Sequence, residues 1–294
     1  MLAPVLPTVA SALRRALVAL ASSPTPRSDA EELLSRLLGI DLPQLRLQGR
    51  RVLTSVEIAR FESGLVRRAG HEPVQYITGR AAFRDLDLLV GPGVLVPRPE
   101  TEGLVEIVLE VLRAEAARCA TPRVLDLGTG SGAIALALAA EWPAAEVTAT
   151  DAGAEALEVA RANAASLGLA GRVRFLPGHW FEAVGASERF EVVVSNPPYI
   201  ATGERDALPE DVRAFEPPAA LFSGASGLDA AREIVERAPR HLVPGGWLAL
   251  ELDEARAHGF AEGLRAAPDW RTVEVRDDLA GRPRYLLARA AVIG

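Results

Sequence analysis

Val124-Leu125-Asp126-Leu127-Gly128-Thr129-Gly130-Ser131-Gly132 decides the fold. Arg123 to Leu127 reads as a buried strand, three alternating glycines follow, and Ala133 to Glu141 reads as a helix. Closely spaced glycines let a chain turn sharply and bring main-chain N–H groups against a ligand where a Cβ would collide. A tight turn with no ligand is the plainer reading of such a loop when it stands alone. The frame here is Asp-x-Gly-x-Gly-x-Gly. A dinucleotide enzyme would show Gly-x-Gly-x-x-Gly, with a helix N-terminus facing the pyrophosphate, so a nicotinamide dehydrogenase is disfavoured. A carboxylate beside the loop, at Asp126, suits a ligand carrying an ammonium group better than a diphosphate.

The next strand, Glu146 to Thr150, ends on Asp151. That is about twenty residues beyond the loop, where a carboxylate binds ribose hydroxyls. Asp151 could also cap the helix from Ala154 to Leu167, and the two roles are compatible. Gly178-His179-Trp180 follows a short third strand, Val173 to Leu176, and places Trp180 to pack beside a flat base; a plain core Trp is the alternative. This frame and order resemble class I S-adenosylmethionine-dependent methyltransferases. The resemblance implies a cofactor site of Gly128, Thr129, Gly130, Ser131, Gly132, Asp151, Trp180 and Asn196.

A fourth strand, Phe190 to Ser195, runs straight into Asn196-Pro197-Pro198-Tyr199. Ligands of an open parallel sheet bind beyond the carboxyl ends of its strands, which puts this tetrapeptide at the methyl group. An sp² –NH₂ group has two coplanar donors, and the Asn196 side-chain oxygen with the Pro197 carbonyl can accept both. Holding both hydrogens aims the nitrogen at the methyl carbon. Tyr199 supplies a flat wall, and the two prolines stiffen the turn. Asn196, Pro197 and Tyr199 are the expected catalytic residues, with Pro198 completing the acceptor site. By itself the motif leaves a carboxamide and an exocyclic base amine equally open.

Around this centre the chain alternates strand and helix, which specifies a mostly parallel sheet with helices on both faces. A Pro/Gly-rich loop is expected from Pro197 to Gly227, then a helix to about Arg237. A strand from Trp247 to Leu252, a helix from Ala255 to Arg265, and strands Thr272 to Arg276 and Tyr285 to Arg289 follow. The last two strands have no helix between them, implying a terminal antiparallel hairpin and a Rossmann-like sheet of seven strands in all.

Upstream, residues 1–70 read as a small helical bundle. Leu13, Leu17 and Leu20 share a face, Ser28 with Glu31 and Thr54 with Glu57 read as capping boxes, and Gly70 as a stop. Residues 71–100 read as a β-hairpin linker, its strands at Val74 to Thr78 and Leu86 to Val90. Residues 101–294 form the catalytic domain, entered through Pro97-Arg98-Pro99 and a helix from about Thr101.

Composition bounds the partners. The net charge is −7, and every one of the 32 Lys and Arg residues is Arg. An acidic chain without a basic, aromatic-laced region is not expected to bind nucleic acid directly. No apolar run approaches the ~20 residues that span a bilayer, so no membrane association is expected. Arg14 and Arg15 after an apolar start could suggest a leader, but the helical Ser28 to Glu32 follows at once, and a cytoplasmic protein is expected. The one cysteine, Cys119, precludes an internal disulfide, and His71, His179, His241 and His258 lack metal-ligand spacing.

The whole chain is similar to the PrmC/HemK family, the glutamine methyltransferases of peptide chain release factors. The similarity rests on His71 to Gly79, Leu95-Val96-Pro97-Arg98-Pro99-Glu100-Thr101-Glu102, the Asp126 to Gly132 loop, Ser195 to Ile200, Phe215-Glu216-Pro217 with Ala220-Leu221, and the early Ser28 to Leu34. It implies methyl transfer to the glutamine of a Gly-Gly-Gln loop in class 1 release factors, supporting translation termination. It also implies that the helical bundle grips the factor and that Pro97 to Glu102 lies near the methionine end of the cofactor. Glu251-Leu252-Asp253-Glu254 departs from the family, which more often has Glu, a small residue and Gln there. A DNA or RNA amino-methyltransferase is the alternative, and a catalytically idle interaction module a third reading.

Overall fold

The computed structural model describes residues 6–292; the first residues of the apolar start weighed above lie outside them. The chain divides into two compact units, one of residues up to Arg80 together with Pro209–Phe215, the other of Ala81–Leu208 and Glu216 onward.

In the first unit, α1 (Val9–Ala19), α2 (Pro26–Leu38), α3 (Leu42–Leu47), α4 (Ser55–Ala69) and the single turn α5 (Val74–Thr78) follow one another. The face of α1 that is wholly buried carries Val9, Ala12 and Ala16, continued by Leu20; Leu13 packs only at its edge. Small alanines at this spacing let the neighbouring helices approach. The box expected at Ser28 does not form. Pro26 occupies the first turn of α2, which therefore begins upstream of Ser28, and Glu31 pairs with Arg46 at 2.7 Å. The Thr54 box does form: the Thr54 hydroxyl accepts from Glu57 N at 3.2 Å and Glu57 accepts from Thr54 N at 2.8 Å. Buried Arg68 of α4 donates to Asp29 at 2.7 Å and reaches Asp211 at 3.4 Å.

Val74–Thr78 is a helical turn, not the strand expected from its composition. Pro73 precedes it and Gly79, at φ +73°, closes it, so helix punctuation outweighs β-branched content in so short a run. The hairpin lies just beyond, in β1 (Arg80–Phe83) and β2 (Leu86–Leu89).

The second unit continues with α6 (Pro99–Glu115), β3 (Arg123–Leu127), α7 (Ala133–Glu141), β4 (Glu146–Asp151), α8 (Ala154–Ser166), β5 (Val173–Pro177) and β6 (Phe190–Ser195). The segment after β6 is not structureless: it holds a 3₁₀ turn (Thr202–Ala207), α9 (Glu210–Phe215) and α10 (Pro218–Leu221). Then come α11 (Asp229–Arg237), β7 (Leu242–Glu251), α12 (Ala257–Arg265), β8 (Trp270–Asp277) and β9 (Pro283–Ala290). The seven-stranded sheet has the order β5-β4-β3-β6-β7-β9-β8, with β3 to β7 parallel and β9 antiparallel to both its neighbours. The expected Rossmann-like sheet and its terminal hairpin are both present.

β7 begins five residues ahead of the expected Trp247. Pro244-Gly245-Gly246 reads as a turn, yet the strand passes through it with a register shift against β6, and Gly245 takes φ +77°. α7 is apolar all round and buried from Ala133 to Ala139, as a helix covered on every side must be. Among the described residues no helix is long and apolar enough to cross a membrane.

Candidate active site

Strand order reverses at β3, whose neighbours are β4 and β6, and a reversal of this kind opens a crevice at the carboxyl ends. Register then determines what meets there. Leu127 lies opposite Thr150 on one side and Ser195 on the other; Ser195 in turn lies opposite Leu250, and Asp151 opposite Pro177. Gly128, Asn196 and Gly178, which follow their strands, and Glu251, the last residue of β7, therefore emerge together at the carboxyl ends of the parallel strands.

The glycine loop takes the shape its sequence demands. Gly128, Gly130 and Gly132 have φ of +69°, +56° and +85°, the left-handed region that disfavours any side chain. The loop is tied to the second strand: Gly128 N and Thr129 N donate to Thr150 O, and Gly130 N donates to Asp151 Oδ2 at 2.8 Å. Asp151 Oδ1 accepts from Gly153 N, also at 2.8 Å. Asp151 is thus a brace between two loops and does not cap α8. Each of its oxygens keeps a lone pair that a ligand hydroxyl could use.

Gly128, Gly130, Asp151, Trp180, Asn196 and Pro198 line one cavity of about 450 Å³. Gly93, Val94 and Leu95, and Phe222 and Ser223, close it from other segments. Its carboxylates are Asp151, Asp229 and Glu233, and no arginine lines it. That lining suits a hydroxyl-bearing or cationic ligand and not a phosphate.

Thr129, Ser131 and Gly132 do not line this cavity. Thr129 and Ser131 are buried beneath the loop, Ser131 O accepting from Asn163 Nδ2 at 2.9 Å. A Cβ on Gly132 would lie 3.2 Å from Ala160, so this glycine permits α7 to pack on α8. Asp126 is also absent from the lining. It is wholly buried, its Oδ2 accepts from Thr129 Oγ1 at 2.6 Å, and burial pushes it up to about 7. It fastens the loop from below, and among the described residues its Oδ1 has no hydrogen-bond partner.

Trp180 is a core residue that also lines the cavity. Its ring lies against the glycine loop, with Cζ3 only 3.0 Å from where a Gly128 Cβ would stand, and it lines the cavity. Its backbone adopts φ +47°, unusual for a bulky residue, and its carbonyl accepts from Thr150 Oγ1 at 2.9 Å. Trp180 Nε1 is buried without an acceptor among the described residues. An orphaned indole donor and a glycine cradle beside it both fit a planar, polar group such as an adenosine moiety.

Asn196 is placed by residues that sequence reasoning did not assign. Its Nδ2 donates to Thr101 Oγ1 at 3.0 Å, and Thr101 Oγ1 donates to Glu251 Oε2 at 2.8 Å. Tyr199 OH approaches Glu251 Oε1 at 3.5 Å. Glu251 has no exposed surface, and burial pushes it up to about 7. Burial, reinforced by the Glu251 charge, holds the Tyr199 phenol well above its ordinary range. Pro197 is buried and, like Tyr199, does not line the cavity. The carbonyl of Tyr199 lies 2.4 Å from where a Gly227 Cβ would be, so the chain leaving the motif passes directly over that glycine.

The Arg98-Pro99-Glu100-Thr101-Glu102 segment gives each polar residue its own partner. Arg98 pairs with buried Glu216 at 2.6 Å, and Glu100 receives Arg282 at 3.1 Å and, on its carbonyl, Tyr285 OH at 2.6 Å. Thr101 bridges Asn196 and Glu251, and Glu102 accepts from Arg84 N at 2.9 Å. A signal for Glu251 was available in sequence as a carboxylate closing an otherwise apolar strand.

Two family models match the chain: the PrmC N-terminal domain over residues 11–79 and the methyltransferase small domain over residues 103–212. The release factor glutamine methyltransferase of Koribacter versatilis is 42% identical over 269 residues, which are 92% of this chain and 93% of that one. Its namesake from Deinococcus radiodurans is 45% identical over 271 residues, 92% and 94% of the two chains. A solved methyltransferase from Pyrococcus furiosus shares the fold, with a TM-score of 0.50 and 23% identity over 82% of this chain and 100% of that one. On the strength of identity sustained along nearly its whole length, the chain belongs to the release factor glutamine methyltransferase family.

Proposed function

We propose that this methyltransferase transfers a methyl group from S-adenosylmethionine to the side-chain amide nitrogen of the glutamine in the Gly-Gly-Gln loop of class 1 release factors. The observation that carries the reading is the position of Asn196: it lines a glycine-cradled cavity and gives its amide nitrogen to Thr101 Oγ1, leaving its Oδ1 to accept. Family membership supplies the substrate class. When bound, S-adenosylmethionine supplies a methyl carbon on a sulfonium, whose C–S bond breaks as the new N–C bond forms.

The residues of the chain divide the remaining work. Gly128 and Gly130 admit the ligand close to the backbone, Asp151 offers its oxygens to ribose hydroxyls, and Trp180 covers the base. Thr129, Ser131 and Gly132 hold the loop in shape beneath them. Asn196 Oδ1 and the Pro197 carbonyl each accept one hydrogen of the substrate –NH₂, and Pro198 and Tyr199 confine its plane. An amide nitrogen is a weak nucleophile, so positioning and exclusion of water carry most of the barrier lowering. No base is required before transfer, because the proton leaves the already methylated nitrogen.

The helical bundle of residues 1–70 is assigned to gripping the release factor and residues 101–294 to catalysis, joined by 71–100. The enzyme would work in the cytosol, on a protein and not directly on nucleic acid. Purified protein, S-adenosylmethionine and a release factor should yield a mass gain of one methyl on the Gly-Gly-Gln glutamine, and none with a Gln→Ala substrate. No gain on the factor, with strongly salt-dependent binding to DNA or RNA, would favour an amino-methyltransferase of nucleic acid instead.

A further inference from the structure

We propose that Glu251 acts as a positioning residue, dictating through Thr101 which end of the Asn196 carboxamide faces the methyl acceptor. The inference rests on Asn196 receiving the acceptor –NH₂, as proposed above.

The argument is one of hydrogen counting. An ionised carboxylate only accepts, and a hydroxyl carries one hydrogen. With Glu251 ionised, the Thr101 hydrogen goes to Glu251 Oε2, 2.8 Å away, so Thr101 can only accept from Asn196. Asn196 must then offer Nδ2, which it does at 3.0 Å, and its Oδ1 is turned to the opposite side. An oxygen on that side matches an acceptor –NH₂, which has only donors to give.

Protonation of Glu251 removes the constraint. A Glu251 O–H can donate to Thr101, whose own hydrogen is then free to bond Asn196 Oδ1. The carboxamide turns over and presents two N–H groups to an acceptor that also presents N–H groups. Transfer therefore weakens as pH falls through the Glu251 titration.

The surroundings make this titration relevant. Glu251 and Thr101 are 0% and 4% exposed, so water does not substitute for either partner. Burial raises Glu251 to about 7; the Thr101 hydroxyl and the Arg284 charge draw it down, Glu100 pushes it further up, and Tyr199 draws it down again. Tyr285 sits opposite Glu251 in the β7–β9 register, Asp278 holds Arg284 at 3.1 Å, and Arg98 acts on Tyr199. Register sets Asn196 and Glu251 side by side, since Ser195 and Leu250 are partners and these are the next residues, and α6 brings Thr101 to bridge them.

The chain has only two asparagines, Asn163 and Asn196, which makes a direct test practical. Selective ¹⁵N-asparagine labelling of the full chain gives two side-chain NH₂ pairs, the missing one in Asn196→Ala identifying its owner. In wild type the Asn196 pair should titrate with a midpoint near 7, while the Asn163 pair, bonded to Leu89 O and Ser131 O, stays still and reports an intact fold. Glu251→Gln still accepts from Thr101 but cannot titrate, so the Asn196 shift should disappear. Thr101→Val should abolish it too, and Thr101→Ser should restore it.

With a release factor as substrate, Thr101→Val should lower kcat by about 10- to 100-fold while KM stays within about threefold. The acidic limb of the kcat profile should flatten in Glu251→Gln, and Thr101→Ser should recover most of the rate. An Asn196 pair that titrates equally in Glu251→Gln, or an acidic limb unchanged in it, overturns the proposal. Absence of release factor methylation beside an intact Asn196 titration would sink the functional reading and still support the relay.

Discussion

Ser195 Oγ donates to Leu127 O at 2.6 Å, across a pair of residues that are also direct register partners between β6 and β3. Leu127 immediately precedes the glycine loop and Ser195 immediately precedes Asn196. The bond therefore ties the strand end before the glycine loop to the strand end before Asn196, with both groups wholly buried. Two motifs nearly seventy residues apart in sequence are thereby linked directly.

Loss of that bond should be measurable. Ser195→Ala should cost about 1 kcal/mol in urea unfolding, the net worth of a buried hydrogen bond. Gly227→Ala should cost more, on the order of 2–3 kcal/mol, because it combines a φ of +74° with a Cβ 2.4 Å from Tyr199 O, and a backbone atom cannot step aside cheaply. Equal costs for the two variants would mean that the motif loop is not packed as described.

Asp151→Asn replaces one acceptor oxygen with an NH₂ and so loses either the brace to Gly130 N or the hydroxyl site. Calorimetric affinity for S-adenosylmethionine should fall about tenfold, the scale of one hydrogen bond to a charged group. Titration with the same ligand should perturb tryptophan fluorescence in wild type and much less in Trp180→Phe. A full signal in Trp180→Phe would remove this indole from the site.

Asp126 should make stability depend on pH. Its carboxyl is raised to about 7 in the folded chain by burial, so its contribution is complete below the ordinary carboxylate range and is lost as pH rises through 7. Glu251 acts with the same sign. His241, lowered by burial, acts oppositely, its contribution lost as pH falls below the ordinary histidine range. The comparison with Asp126→Asn isolates the first effect. Between pH 5.5 and 8, wild type should lose on the order of 2 kcal/mol relative to the variant in urea unfolding. A constant difference across that range would show that Asp126 titrates normally.

The Arg98–Glu216 pair joins a half-buried guanidinium to a buried carboxylate. Arg98→Ala takes the guanidinium from a carboxylate that is 3% exposed and should cost about 1–2 kcal/mol, less than a fully buried pair because Arg98 is partly solvated. Adding Glu216→Gln to Arg98→Ala should recover part of that cost. Strict additivity in the double-mutant cycle would deny the coupling.

Legibility in the sequence followed the range of the interactions. Arg123–Leu127, Ala133–Glu141 and Phe190–Ser195 form the elements expected of them to the residue, because an apolar run bounded by Gly, Pro or a polar turn needs no distant information. Val74–Thr78 became a helix because five residues fit either period and their flanking Pro73 and Gly79 decided. The misplaced box at Ser28 failed for a related reason. Its would-be partner Glu31 had a stronger claim on it from Arg46, fifteen positions away.

The chain's sequence alone determined the glycine frame, the Asn196-Pro197-Pro198-Tyr199 turn after a buried strand, and the family, since these are local patterns that fold geometry cannot rearrange. Tertiary structure alone decided that Asp126 lies under the loop, and that Thr101 and Glu251 hold Asn196. Sheet register sets Asn196 beside Glu251, and the packing of α6 on the sheet brings Thr101, 95 and 150 positions from them, to bridge the two; spacing along the chain encodes neither.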